Sequence, residues 1–488
     1  MLSEIQLFLE RCARPAVLEW GDEAVPLLPD QHLLEVRNGH LFLSAWPERR
    51  SISRKLIDIE TRKPGLMVCS IQKFGGAKGR LNLLDLDHPR TSTSLLQGER
   101  RSFSEGFRRM LHRQFTGWAI EILTTEMSLE RSFSPRYPRA VLQKGNQKIA
   151  AVACPRLEDE HAFLTFALLW HHYVCGSASE SHTRAPLALF LPEAAGSLTS
   201  LRLKWLNVTA RLFRFNADGN AGQVDAADLG NLETRVIHRT RVPLPPDLQP
   251  VITSLKRNFD AELIDDGAGI FRLRIQGLEF AVLKNGRLYS SLNGEPQQTS
   301  AEEIETIASH IALVRNGSTG DRQHPLFRMS PENWLEAAVR RDLGIVDAAL
   351  EGQPLLGQVI TFAAVDRDII DLVGASKTGR IVLIELKATE DIHLPLQALD
   401  YWMRIDWHTQ AGEMDQFFPG LAVRREPPKL MLVAPAVQFH PTNEIILSYF
   451  DARIETERIG LNLEWQQGLK VAFRLHGSEK PQSHRRPI

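Results

Sequence analysis

Two charged residues end a strongly apolar run in the last third of the chain. The run RIVLIELKA (380–388) is continuously apolar up to Ile384 and then presents Glu385 and Lys387. Such a run predicts a central strand covered on both faces. Because side chains alternate along a strand, Glu385 and Lys387 share a face with Leu383. Charges at the end of a buried strand are costly unless they are paired or bind a metal ion, so chemistry is expected here.

A third candidate lies one predicted strand earlier. RDIIDLV (367–373) places Asp371 in a similar apolar setting. Two neighbouring strands that carry one carboxylate each could hold a hard divalent cation such as Mg²⁺ or Mn²⁺, together with waters and phosphate oxygens. A metal ion held in this way can activate water and stabilise charge on a phosphate group. Lys387, beside two carboxylates, would stay charged and could position the water or neutralise developing charge.

The order of these residues resembles a known signature. Asp371, the turn GASKTGR and then Glu385-Leu386-Lys387 resemble the D-x(n)-E-x-K signature of PD-(D/E)XK nucleases. The resemblance covers about 330–450. It implies a restriction-endonuclease-like mixed sheet flanked by helices. The alternative is an ion pair between Glu385 and Lys387 on the surface of an ordinary α/β sheet.

The next predicted helix strengthens the resemblance. In HLPLQALDYWMRI (393–405), Gln397 and Tyr401 lie four residues apart, which is similar to the QxxxY element of the RecB-like branch. Helical spacing predicts a polar stripe of His393, Gln397, Tyr401 and Arg404. It predicts a packed stripe of Leu396, Leu399 and Met403.

The resemblance also implies roles for the site residues. Asp371 and Glu385 would be metal ligands, the backbone carbonyl of Leu386 would complete the metal shell, and Lys387 would position water. Gln397 and Tyr401 would support them. Glu336, in PENWLEAAVRRD, occupies the place of an acidic residue that many family members carry on their first helix. The alternative for Glu336 is a surface ion pair with Arg340 at i+4.

Nucleic acid, and DNA in particular, is the expected partner. Nucleic-acid binders often carry a basic excess, but this chain has a formal net charge of −1. Any nucleic-acid surface must therefore be local. Arg367 and Arg404 could contact phosphate, with ordinary ion pairing as the alternative for both.

The length of 488 residues predicts several domains, and the pattern is multidomain α/β and α+β. We expect strands near 358–365, 368–374, 380–387, 429–434 and 444–450, with a helix near 392–407. A further helix is predicted from its punctuation: Ser330 as N-cap, Pro331, Glu332 in the first turn and Gly344 past the end. The predicted domains are a β-rich N-terminal domain (1–98), an α/β domain (99–235), a small α+β domain (236–325), the nuclease-like domain (326–476) and a disordered tail (477–488).

The α/β domain at 99–235 could be a degenerate second nuclease-like copy. Setting KIAAVACP against RIVLIELK places Ala153 on Glu385 and Pro155 on Lys387. The same ungapped alignment places Arg139 on Asp371 and Trp170 on Trp402, while PLALFLP (186–192) matches KLMLVAP (429–435) at a different offset. A duplication would make the chain an intramolecular pseudo-dimer whose first copy has lost its site. The alternative is that two α/β segments share only strand-helix periodicity.

Other features limit the function class. The four cysteines are scattered, so neither a zinc site nor a disulfide framework is indicated. The N-terminus predicts an amphipathic helix, and no stretch approaches the roughly 20 apolar residues of a membrane span. A cytoplasmic protein without a membrane partner fits these features.

The leading hypothesis is a Mg²⁺- or Mn²⁺-dependent phosphodiesterase acting on DNA. The alternative is a non-catalytic nucleic-acid-binding or assembly protein that retains a nuclease fold. An unrelated α/β enzyme lacks support: FGGAKGR (74–80) has no GK[ST] and predicts a hairpin turn, and the sequence has neither GxSxG nor HExxH.

Overall fold

The structure, a computed structural model, describes residues 1–19, 24–28, 32–37, 40–45, 52–63, 65–72, 78–86, 93–176, 185–232, 234–236, 243–267, 269–290, 297–350, 355–363 and 366–480. The side chains of 93–99 and 357–370, among a few others in these ranges, are not described. Over the described residues the chain is multidomain and mixes α and β structure, with sheets of seven, six, seven and five strands. The predicted multidomain α/β and α+β character is confirmed at this level.

The N-terminal unit is a helix on an antiparallel sheet. Its elements are α1 (Leu2–Arg11), β1 (Pro15–Glu19), β2 (Val25–Pro26), β3 (His32–Arg37), β4 (His40–Ala45), β5 (Ile52–Lys63), β6 (Leu66–Gln72) and β7 (Lys78–Asp85). The strands pair in the order β2-β1-β7-β6-β5-β4-β3. Period-2 alternation in β4 puts Leu41, Leu43 and Ala45 into a core shared with Ile5 of α1. Most of 74–80, the predicted hairpin turn, lies outside the described residues.

The first α/β unit follows. Its elements are α2 (Thr93–Gln114), β8 (Ala119–Thr124), β9 (Arg139–Lys144), β10 (Gln147–Ala153), α3 (Glu160–Cys175), β11 (Leu187–Pro192), α4 (Ser197–Leu203), β12 (Ala210–Phe215) and β13 (Ala221–Val224). The sheet order is β13-β12-β11-β10-β9-β8. Strand β11 is parallel to both of its neighbours, and the other pairs are antiparallel.

A small α+β unit comes next, after the two-residue strand β14 (Arg235–Val236). Its elements are α5 (Gln249–Phe259), β15 (Glu262–Gly267), β16 (Ile270–Ile275), β17 (Leu278–Lys284), β18 (Arg287–Ser290), β19 (Gln297–Gln298) and α6 (Ala301–Val314). Consecutive strands pair to form a five-stranded antiparallel sheet. A capping box between Ser300 and Glu303 begins α6, whose apolar face packs on β16 and β17.

The second α/β unit completes the chain. Its elements are α7 (Pro325–Arg328), α8 (Pro331–Arg341), α9 (Leu343–Val346), β20 (Leu355–Ala363), β21 (Asp366–Ala375), β22 (Ile381–Leu386), α10 (Leu394–Ala411), β23 (Lys429–Pro435), α11 (Asn443–Leu447), β24 (Thr456–Leu461) and β25 (Val471–His476). The sheet order is β14-β20-β21-β22-β23-β24-β25. Every residue of β22 is buried, as its continuous apolar run predicts.

Two local predictions for this unit were wrong. Residues 444–450 were predicted as a strand, but 443–447 form α11 and the next strand is β24. A short apolar run suits either structure, and here packing against α3 favours the helix. Helix α8 does begin at Pro331, but Ser330 is in the left-handed region (φ 47°) and its side chain makes no capping bond. Gly344 lies inside the short helix α9 rather than past a helix end.

The two α/β units share one topology. Strands β8 to β13 match β20 to β25 one for one, in sheet order and in the direction of every pairing. Helix α3 follows β10 as α10 follows β22, and α4 follows β11 as α11 follows β23. One core contains residues of both units, because these four helices lie between the two sheets.

Contacts between the two units are reciprocal. Helix α3 contacts α11, and its counterpart α10 contacts α4, the counterpart of α11. The Asn207 N–H donates to the Tyr449 carbonyl (2.6 Å), while the Asp451 N–H donates to the Trp205 carbonyl (2.9 Å). Leu206 and Phe450 form an antiparallel bridge between these bonds. Such an exchange of equivalent contacts defines an approximate two-fold relation between the units.

The chain ends bear on two further predictions. The N-terminal amphipathic helix is present as α1, with Ile5 buried. Residues 481–488 of the predicted disordered tail lie outside the described residues. In the described part of the chain, none of the helices combines the length and apolarity that crossing a bilayer requires.

Candidate functional site

Asp371, Glu385 and Lys387 meet at one end of β21 and β22. These strands pair antiparallel, with Leu372 opposite Ile384. The next pair in that register is Asp371 opposite Glu385, so the two carboxyl groups lie on the same face of the sheet. Lys387 follows directly after β22 and stays attached to the sheet, because its N–H donates to the Val433 carbonyl (3.0 Å).

Hydrogen bonds hold two of these side chains in place. The Leu386 N–H donates to Oδ2 of Asp371 at 2.9 Å, which fixes that carboxyl group beside Glu385. The Lys387 Nζ lies 3.5 Å from Oε1 of Glu385 and 3.9 Å from Oε1 of Glu332 on α8. An ammonium group therefore bridges the strand end and the helix.

Glu385 is the most deeply buried of the three residues. The residue is 1% exposed, and Lys387 is 9% exposed, so the pair is not the surface ion pair weighed as the alternative. Oε2 of Glu385 is buried and has no hydrogen-bond partner among the described residues. Burial, followed by the charge of Asp371, raises the pKa of Glu385 well above its ordinary value despite Lys387. An unsatisfied buried carboxyl oxygen is costly, so this atom is available to a cation.

The other two groups titrate in a way that suits an added cation. Burial raises the pKa of Asp371 to about 7, against the opposing effects of Lys387 and the Leu386 N–H. Burial alone would lower the pKa of Lys387, but nearby carboxylates, led by Glu332 and Glu385, raise it above its ordinary value. Lys387 therefore stays protonated while both acids are reluctant to ionise. A further positive charge at this place would favour their ionised forms.

Helix α8 presents two acidic residues, and they differ. Glu336 is buried, with an ion pair to Arg340 and another to Arg274 of β16 at 3.9 Å. This is the Arg340 pairing that was weighed as the alternative, and two arginines now compete with any metal ion for Glu336. Glu332, one turn earlier on the same helix face, approaches Lys387 instead. The sequence identified Glu332 only as an acidic residue in a first helical turn.

Two carboxyl groups of the site, those of Asp371 and Glu385, are suitable ligands for a hard cation. In the described ranges, no group of three or more His, Cys, Asp or Glu side chains is placed to hold a metal ion. Mg²⁺ needs only one or two protein carboxylates, because it keeps several waters and takes phosphate oxygens. Asp371 and the open oxygen of Glu385 meet that need. Leu386 contributes its N–H to Asp371, and its side chain packs into the core under α8.

The predicted packed stripe of α10 is confirmed, but the polar stripe is not a free surface. Leu396, Leu399 and Met403 are buried. Tyr401 is buried as well, in the core that the two units share. Gln397 is half-buried. The sequence of α10 does not reveal that the first unit covers its outer side.

The two arginines expected at phosphate fare differently. Arg404 is 8% exposed on α10, which makes it a poor phosphate contact and corrects that prediction. Arg367 lies in β21, but its side chain is outside the described residues. Its role stays a prediction.

The first unit places other residues at the matching positions. Val141 is opposite Ala150 on β9 and β10, as Val373 is opposite Leu383 on β21 and β22, and all four enter the shared core. The next pair on the same face, toward the open end of the hairpin, is Arg139 opposite Val152, as Asp371 is opposite Glu385. The counterparts of Asp371, Glu385 and Lys387 are therefore Arg139, Val152 and Cys154. The alignment on Arg139 was right. Placing Ala153 on Glu385 and Pro155 on Lys387 was wrong by one residue, because the β21–β22 hairpin is one residue longer.

These replacements cannot hold a cation. The Arg139 guanidinium lies 4.6 Å from the centre of the Phe133 ring and donates to the carbonyls of Ser134 and Glu126. Burial lowers the pKa of Arg139 to about 10, which leaves it positively charged at neutral pH. The Cys154 thiol donates to the Arg156 carbonyl (3.1 Å), and burial raises its pKa well above its ordinary value. A fixed cation and a protonated thiol replace a carboxyl group and an ammonium group.

No protein-family model matches this chain, and no curated protein shows significant similarity to it. The chemistry of the site therefore rests on its own residues. They provide a buried carboxyl group with one open oxygen, a half-buried carboxyl group and a buried ammonium group.

Proposed function

We propose that the chain is a divalent-metal-dependent nuclease of the PD-(D/E)XK type that hydrolyses phosphodiester bonds in DNA. The open, buried Oε2 of Glu385, opposite Asp371 and beside Lys387, carries this proposal. Its support from the sequence is the spacing of the same three residues. A buried carboxyl oxygen without a partner is costly, and a bound cation would remove that cost.

Each residue has a definite task in this proposal. Asp371 and Glu385 would hold Mg²⁺ or Mn²⁺, which when bound polarises a phosphate oxygen and lowers the pKa of a water molecule. The Leu386 N–H keeps the Asp371 carboxyl group in position. Lys387 presents a permanent positive charge in a water-poor place, where it can orient water or stabilise negative charge on the phosphate. Glu332 holds the Lys387 ammonium on the side facing α8.

The direct test is cleavage of labelled single- and double-stranded DNA and RNA with Mg²⁺, Mn²⁺ or no metal ion. We expect metal-dependent hydrolysis of DNA by the wild type and none by Glu385→Gln. Glu464→Gln is the matched control, because Glu464 belongs to the same unit and is 60% exposed. It should keep full activity. Calorimetric titration with Mn²⁺ gives an independent readout, and Glu385→Gln should weaken that binding.

Two outcomes would remove the proposal. Equal cleavage by the wild type and Glu385→Gln would place the activity outside this site. A wild type that binds DNA but cleaves nothing with either metal ion would instead support the alternative, a non-catalytic nucleic-acid-binding protein. The net charge of −1 is the observation that favours that alternative.

A further inference from the structure

The first α/β unit covers the face of the second unit that a two-fold partner would use. Helices α10 and α11 of the second unit lie against α4 and α3 of the first. The aromatic contacts follow the same exchange: the Trp205 ring meets the Trp402 ring at 4.8 Å, and the His171 ring meets the Tyr449 ring at 5.6 Å. A second chain therefore cannot place its own catalytic unit against this face while the first unit occupies it.

A buried ion pair fastens this interface. Arg202 of α4 is 2% exposed and binds both carboxyl oxygens of Asp400 on α10, at 2.8 and 2.7 Å. The same guanidinium donates to the His161 carbonyl at 2.7 Å. Separating the units would break this ion pair and expose the apolar core that they share, which opposes dissociation.

The segment that follows the strand end of the second unit contacts α3, the helix that follows the strand end of the first. The segment between β22 and α10 ends at His393, whose Nδ1 lies 3.0 Å from Oγ1 of Thr165 on the first turns of α3. The ring of Phe166 meets the ring of His393 at 5.5 Å. The second unit's edge carries Asp371 and Glu385, and the first unit's edge carries Arg139 and Val152. The pair thus has the geometry of a two-site dimer with a single set of catalytic groups.

We propose that one molecule of this protein cuts one strand of duplex DNA per encounter and leaves the opposite strand intact. This inference rests on the proposed nuclease function. In the reaction the oxygen of one water bonds to phosphorus, and one P–O bond to a sugar oxygen breaks. The leaving sugar oxygen gains a proton, and the second proton of the water passes to solvent. Cleavage of the facing strand would need a second set of carboxyl groups, which Arg139 and Val152 do not provide.

The test uses the full chain, supercoiled plasmid and Mg²⁺ or Mn²⁺, with products separated on an agarose gel. We expect open-circular DNA to accumulate first, at a rate proportional to protein concentration. Linear DNA should appear only late, from independent nicks that meet by chance. Light scattering under the same conditions should give the mass of one chain. Glu385→Gln should form no open-circular product, whereas Glu464→Gln should match the wild type.

The outcomes separate the inference from the proposed function. Linear DNA formed without an open-circular intermediate, or in proportion to the square of protein concentration, would overturn the inference and leave the nuclease function standing. Degradation of linear duplex with closed plasmid left intact would also overturn it. Complete absence of cleavage on every substrate would overturn both.

Discussion

The two α/β units have the same strand topology but carry different residues at one end of the sheet. Their sheets agree in strand order and direction, and equivalent apolar rows such as Val141–Ala150 and Val373–Leu383 enter one shared core. At the strand ends, the first unit has Arg139 opposite Val152. The second has Asp371 in register with Glu385. Packing is therefore common to both units, and only the strand-end chemistry distinguishes them.

The difference lies in the kind of charged group that each strand end buries. In the first unit the Arg139 guanidinium donates to two carbonyl oxygens and lies against the Phe133 ring, while its Nε is buried without a partner among the described residues. In the second unit a carboxyl oxygen of Glu385 is buried without a partner among the described residues. A fold tolerates such a local cost where a site needs it. The comparison therefore favours the second unit as the place of the proposed function.

The largest expected effect comes from removing the ammonium group of the second unit. Lys387→Ala should lower the cleavage rate a hundredfold or more, about 3 kcal/mol of transition-state stabilisation. DNA affinity should change little, because one lysine is a single phosphate contact among several. Single-turnover cleavage and fluorescence anisotropy with the same duplex measure the two quantities. A parallel loss of rate and affinity would mean that Lys387 only binds substrate.

The sequence could predict this site because its signal is local. Asp371, Glu385 and Lys387 stand out as charges on apolar strands, and strand pairing follows from the order of the elements. Glu332 was missed, because the rotation of α8 relative to β22 is set by tertiary packing. The burial of Tyr401 and Arg404 was missed for a similar reason: the first unit that covers α10 is distant in the chain, as the 198 residues between Arg202 and Asp400 show. The one-residue error at Ala153 came from a hairpin whose length an ungapped alignment ignores.

The second prediction replaces Arg139 of the first unit by aspartate, the residue that the second unit has at the equivalent position. Arg139→Asp should destabilise the fold by about 3 kcal/mol, because it buries a carboxylate and leaves the carbonyls of Ser134 and Glu126 without this donor. Urea unfolding measures the change. Arg211→Asp, on the exposed side of β12 in the same unit, is the control and should stay within about 0.5 kcal/mol of wild type. A small effect of Arg139→Asp would mean that the first edge can still accommodate an acid.

The third prediction removes the buried acid Glu385 from the second unit. Glu385→Gln should stabilise the metal-free protein by about 2 kcal/mol, because a neutral amide replaces an acid that burial makes reluctant to ionise, while Glu332 still faces the Lys387 ammonium. Denaturant unfolding in chelator measures it at pH 7.5. Excess Mg²⁺ should narrow the gap, since only the wild type gains from binding the ion. A destabilised variant would indicate that Glu385 is structural, held by Lys387 and needing no cation.

The last prediction concerns pH and isolates Asp371. Its pKa in the folded protein is about 7, above the ordinary value of 3.8, so between these values the folded state holds a proton that the unfolded state has lost. The stability contributed by Asp371 is complete at acidic pH and falls as pH rises to about 7, by about 1.4 kcal/mol per pH unit at most. Unfolding free energies of the metal-free wild type and Asp371→Asn, measured from pH 5 to 7.5, should diverge with that sign. Added Mg²⁺ should cancel the divergence, because the ion binds the deprotonated carboxyl group and competes with the proton. Arg139, the counterpart of Asp371 in the first unit, stays charged across this range and should add no such slope. Equal pH profiles of the wild type and Asp371→Asn would show that the pKa of Asp371 is not raised in the folded protein.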